Sequence, residues 1–157
     1  MKFCAESESD NFEYKEHIIF IENKRFDHYI TQINYRLLIG NGVCRYLIGV
    51  GDDGTVGGLN TMQIARSVKN LLIIAKNVSE DVDNSVYPTK IYFVQANSKN
   101  IPKEIDEKSE TSDSVDGDGD DSGIKYFAFV ELKSDEKKYT EADIITFSES
   151  DSDTEYN

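Results

Sequence analysis

Tyr46-Leu47-Ile48-Gly49-Val50-Gly51-Asp52-Asp53-Gly54-Thr55-Val56-Gly57-Gly58-Leu59 is the stretch whose reading decides the fold. A glycine-rich run of this kind either cradles phosphate or turns a hairpin. A phosphate loop needs a lysine and a Ser/Thr after its last glycine, to reach the terminal phosphates and a magnesium ion. Here Leu59-Asn60 follow Gly58. Gly49, Gly51 and Gly54 match a dinucleotide-type spacing. Asp52 and Asp53, however, would face a pyrophosphate with like charge, and the run leads into another strand pattern where that motif opens a helix. An Asp-Gly pair between apolar runs is a hairpin signal, because the tight turn needs positive φ. The sequence predicts a strand over 43–50, a turn over 51–54 and a short return strand over 55–59.

Downstream, Asn60 and Gln63 have the spacing of a reciprocal helix cap. Ile64, Val68, Leu71, Leu72, Ala75 and Val78 then form one stripe of a helix over 61–78, with Arg66, Lys69 and Lys76 on its outer side. Upstream, Phe26, Tyr29, Ile30, Ile33 and Leu37 repeat at helical spacing over 25–39, and Gly40-Asn41-Gly42 supplies a stop. Phe12 to Ile21 reads as a first strand, Val86 to Ala96 as another and Ile124 to Leu132 as the last. The order is β-α-β-β-α-β-β. This is an α+β fold with a mixed or antiparallel sheet covered by two helices. Residues 1–11 read as a flexible lead-in and 12–133 as one domain. A disordered acidic insert over 98–123 interrupts that domain, and 134–157 read as a largely disordered acidic tail in which Thr140 to Phe147 could dock briefly.

The chain carries 30 Asp/Glu against 17 Lys/Arg, a net charge of −13. Most of the excess lies beyond residue 97. Such a chain repels phosphate backbones, so non-specific nucleic-acid binding is not expected. Cys4 and Cys44 make neither a disulfide framework nor a zinc spacing. No apolar run is long enough to cross a membrane, and the start lacks a signal-peptide pattern, so a cytoplasmic setting and no membrane partner are expected. No nucleophile–base pair, cofactor loop or metal-ligand spacing stands out. The expected catalytic, cofactor and metal residues are therefore none. A basic set remains as candidate partner-binding residues: Arg36, Arg45, Arg66, Lys69 and Lys76.

Three segments together resemble one family. They are Phe12-Glu13-Tyr14-Lys15, Arg25-Phe26-Asp27-His28-Tyr29-Ile30-Thr31-Gln32-Ile33-Asn34-Tyr35-Arg36-Leu37, and the run from Tyr46 to Leu59 quoted above. In order and spacing they are similar to the N-terminal domain of the GTP-binding protein 1 and 2 type of translation-factor-like GTPase. The match covers 12–78 well and 86–133 by pattern alone. The resemblance implies a stand-alone interaction module, with a protein or ribonucleoprotein partner in translation or RNA decay. GTP is implied by the family only. These residues hold no phosphate-binding lysine loop and no guanine-reading Asn-Lys-x-Asp, so a GTPase site is not expected. The hairpin is also similar to runs in Schlafen-type and AlbA-like domains. That alternative implies metal-dependent nucleic-acid processing by Glu13, Asp52 and Asp53. The sequence leaves the oligomeric state open.

Overall fold

The computed structural model describes residues 2–18, 23–81, 85–99, 101–106, 108 and 123–135. Its elements run β1 (Phe12–Lys15), α1 (Asn23–Ile39), β2 (Val43–Ile48), α2 (Thr61–Asp81), β3 (Val86–Gln95), α3 (Lys103–Asp106) and β4 (Tyr126–Ser134). The four strands form one mixed sheet in the order β1-β2-β4-β3. β1 lies parallel to β2, while β4 is antiparallel to both β2 and β3. The α+β class and the mixed sheet match the sequence reading.

Both faces of the sheet are covered, which explains why the central strands are apolar almost throughout. Cys44, Tyr46 and Ile48 of β2, with Ala128, Val130 and Leu132 of β4, pack against Tyr29, Ile33 and Leu37 of α1 and Ile64, Val68, Leu71 and Ile74 of α2. The alternate positions, Leu47, Phe127 and Phe129, join Phe12 and Tyr14 in a second, aromatic core. Phe3 and Ile105 cap that second core, and neither retains any exposed surface.

Four expectations change here. The lead-in is not loose: Phe3 N donates to Gly54 O, Glu6 N donates to Asp52 O, and Phe3 meets Phe127 edge-on at 5.5 Å. The disorder expected from residue 98 does not hold over 101–106, where Ile101 and Ile105 pack on the aromatic core and α3 carries Ile105. The return strand shrinks to three isolated bridges, Lys2 with Thr55, Val50 with Val56 and Leu59 with Tyr126. Gly58 takes φ 73°, which swings Leu59 away from β2 and onto β4. The first strand stops at Lys15, and Ile18 then turns onto α2, where Ser67 Oγ accepts from its N–H at 3.0 Å. The expectations for 109–122, 136–157 and Ile19–Ile21 fall outside the described residues.

Candidate functional site

Four glycine amides of the run are bonded within the fold. Gly49 N donates to Lys15 O at 2.7 Å, Gly51 N to Thr55 O at 2.9 Å, Gly54 N to Gly51 O at 2.9 Å and Gly58 N to Gly49 O at 3.0 Å. Asp53 closes the turn by accepting from both the N–H and the hydroxyl of Thr55, and those bonds hold its carboxyl below the usual range. The segment bends back, as its Asp-Gly signal predicts, and the cap that follows is formed. Gln63 N donates to Asn60 Oδ1 at 2.8 Å, and Asn60 N donates to Gln63 Oε1 at 3.2 Å.

Of the five candidate cations, the structure buries one, Arg36, and half-buries another, Arg45. Arg36, in the last turn of α1, is buried. Its Nε donates to Glu13 Oε2 at 2.8 Å, and its Nη1 donates to the carbonyls of Ser7 at 2.7 Å and Asp10 at 2.5 Å. Burial works against its charge, but the Glu13 carboxylate and then Glu6 outweigh that and raise its pKa. Arg36 therefore clamps the N-terminal segment to the sheet. Its identification as a partner-binding residue is corrected by that burial. Arg45 points to the aromatic face, where its Nε donates to Glu131 Oε2 at 3.0 Å and its guanidinium lies over Phe12. Burial raises the Glu131 pKa, yet the Thr89 hydroxyl and Arg45 bring it below the usual range. Arg45 keeps 28% of its side chain exposed, so it stays a half-buried candidate already engaged by Glu131.

Glu6 shares the Arg36 cluster and is the one carboxyl there with a strongly raised pKa. Burial, then repulsion from Glu13, push it up to about 7, while the Tyr14 N–H and Arg36 pull the other way. Its Oε2 accepts from Tyr14 N at 2.6 Å.

Arg66, Lys69 and Lys76 are exposed on α2. Helical spacing puts Met62, Arg66, Lys69, Ile73 and Lys76 on one stripe, opposite the buried Ile64, Val68, Leu71 and Ala75. Met62 is 71% and Ile73 42% exposed, so the stripe mixes cations with uncovered apolar side chains. Composition sharpens the point. A chain with 30 Asp/Glu places none between Thr61 and Val78. Among the described residues no ion pair engages Arg66, Lys69 or Lys76. A solvated helix face in an acidic protein ordinarily mixes signs at i and i+4. The sequence reading found these cations but passed over Met62 and Ile73. Met62 stands just outside the apolar stripe, and the isoleucine pair Ile73-Ile74 does not reveal which member faces inward.

Two of the three carboxylates in the alternative are already engaged. Glu13 is engaged by Arg36 inside the domain, whereas Asp53 is spent on the turn. Among the described residues no group of three or more His, Cys, Asp or Glu could hold a metal ion, and no helix is long and apolar enough to cross a membrane.

The geometry thus defines an α+β domain with a packed turn where a phosphate loop could have been, and with one basic, partly apolar helix face. Over 77 residues the chain is 38% identical to GTP-binding protein 2 of Mus musculus and, equally, to GTP-binding protein 2 of Homo sapiens. The aligned stretch is 49% of this chain but 13% of either relative, so the chain corresponds to a small part of those proteins. A relationship to GTP-binding proteins of this kind is supported over that stretch. No protein-family model matches the chain, and no solved structure matches it.

Proposed function

We propose that this domain is a non-catalytic interaction module, equivalent to the N-terminal accessory domain of GTP-binding protein 2-type proteins, which docks a macromolecular partner through the exposed face of α2. The observation that carries this is the acid-free basic stripe, without an ion pair among the described residues, on a helix of a chain whose net charge is −13. The similarity over 77 residues to a GTP-binding protein supplies the class, and the internally bonded glycine turn is why a nucleotide site is left out of the reading. Three cations with Met62 and Ile73 between them suit a partner that offers acidic groups beside apolar ones. The partner we favour is a component of the translation apparatus, on the strength of the resemblance to translation-factor-like GTPases.

Two measurements test the reading. In a fluorescent GTP and GDP titration with magnesium, no saturable binding is expected. In a sucrose gradient at low salt, co-migration of the full chain with ribosomal particles is expected. Protein confined to the top of the gradient would count against the translation partner.

A further inference from the structure

We propose that the α2 stripe is occupied, in the free protein, by the chain's own C-terminal acidic segment, residues 136–157, so that a partner must displace it. This rests on the reading of α2 as the docking face. Four observations support it. The first is charge. From Thr140 to Asn157 the segment has six Asp/Glu and no Lys or Arg, facing Arg66, Lys69 and Lys76 on a helix with no acidic residue between Thr61 and Val78. The second is the placing of apolar groups. Ile144, Ile145 and Phe147 stand between Glu141 and Asp143 on one side and Glu149 and Asp151 on the other. Met62 and Ile73 are likewise set among the cations of the stripe.

The third is the point of departure. Ser134 N donates to Gly42 O, and Asp135 N donates to Ser85 O at 3.0 Å. Ser85 is four residues past the last residue of α2, Asp81. The segment therefore starts from the Lys76 end of the stripe. The fourth is reach. The stripe from Met62 to Lys76 is about 21 Å long at the helical rise. A segment of 22 residues can extend to roughly 70 Å. Running from the Lys76 end, it can cover the face with chain to spare. Tethering makes a weak contact sufficient, because a short linker gives an effective concentration in the millimolar range. A dissociation constant of about 1 mM would then already fill about half the faces.

RNA is the less favoured occupant. Its phosphates would approach a chain of net charge −13, and an RNA-binding face draws most of its affinity from many phosphate contacts rather than three.

The test uses the full chain carrying Cys4→Ser and Ser148→Cys, with a nitroxide attached at position 148. Cys44 is buried and stays unlabelled. Amide intensities of the isotope-labelled chain are read with the nitroxide oxidised and reduced. Residues 62–76 should lose about half their intensity or more at the occupancy worked out above, while amides of α1 keep theirs. The loss should vanish in a chain that also carries Arg66→Glu, Lys69→Glu and Lys76→Glu, and should weaken at high salt as screening shortens the reach of the charges. Unchanged intensities on α2 in the labelled wild-type background overturn the proposal. So does a loss seen only when spin-labelled and isotope-labelled copies are mixed, which would make a second copy the occupant. A single-stranded RNA oligonucleotide that shifts the α2 amides while the nitroxide leaves them untouched overturns it as well. None of these readouts depends on the ribosome gradient, so a failed docking partner and a failed tail contact are told apart.

Discussion

Replacing Arg36 by methionine tests the clamp that joins the N-terminal segment, β1 and α1. The Arg36 side chain is 5% and the Glu13 side chain 6% exposed, and their Nε–Oε2 distance is 2.8 Å. Removing one partner of a buried pair leaves the other charge uncompensated, which costs about 3–5 kcal/mol. The Ser7 and Asp10 carbonyls also lose charge-assisted donors. Asp10 keeps its side-chain bond to Lys108, and Glu6 still accepts from Tyr14 N, so the segment keeps some anchors. We expect a loss of about 4 kcal/mol, against a total stability of about 5–15 kcal/mol for a domain of this size. Glu13→Gln keeps the shape of the acceptor and should cost about 2–3 kcal/mol, because Arg36 then retains only its weaker carboxylates. The double variant no longer buries a lone carboxylate and should cost at least 1 kcal/mol less than the sum of the singles. Urea unfolding followed by far-UV circular dichroism at pH 8 measures all three. A cost for Arg36→Met below about 1 kcal/mol, or strictly additive singles, would refute the claim that this pair is a buried clamp.

Glu6 carries a raised carboxyl pKa, so the folded state holds its proton more tightly than the unfolded chain does. That contribution is fully present below pH 4.5 and is lost as pH rises through about 7. A fifth of the side chain is exposed, so solvent screening reduces the full linkage energy to about 1–2 kcal/mol. Glu6→Gln should therefore be near neutral at pH 5 and stabilising by about 1–2 kcal/mol at pH 8 in urea titrations; an equal effect at both pH values would contradict the assignment. Gly54 sits at φ 90°, and a Cβ there would lie 1.9 Å from Phe3 O. Gly54→Ala should cost about 3 kcal/mol through backbone strain and displacement of the buried Phe3, and limited proteolysis should then cut first within residues 2–10.

The parts of the fold that were legible in sequence are those fixed locally. The Asn60–Gln63 cap, the Asp52-Asp53-Gly54 turn and the Gly40-Asn41-Gly42 stop each need particular residue types within a few positions. All three are in place, with Asn41 and Gly42 at positive φ. What escaped depends on pairing across the chain. Phe3 and Ile105 stand in segments without a strand or helix periodicity, and nothing local shows that each closes the open face of the sheet. Arg36 reads as a surface cation because its charge hides its position beside Tyr29 and Ile33. Its partner Glu13 lies 23 residues earlier, on another element. For the candidate site, the cations of α2 were visible from their spacing. That Arg36 leaves the set, that Arg45 is half-buried against Glu131, and that Met62 and Ile73 join it, follows only from packing.

Charge reversal on the exposed face of α2 tests directly whether a partner binds there. Three full chains should be compared on the low-salt ribosome gradient. They are the wild type, the Arg66→Glu/Lys69→Glu/Lys76→Glu chain, and a control of equal net charge carrying Lys99→Glu, Lys103→Glu and Lys125→Glu, three exposed lysines elsewhere. We predict that wild type and control travel with the particles and the α2 variant stays at the top. Equal behaviour of the two charge-reversed chains would contradict it.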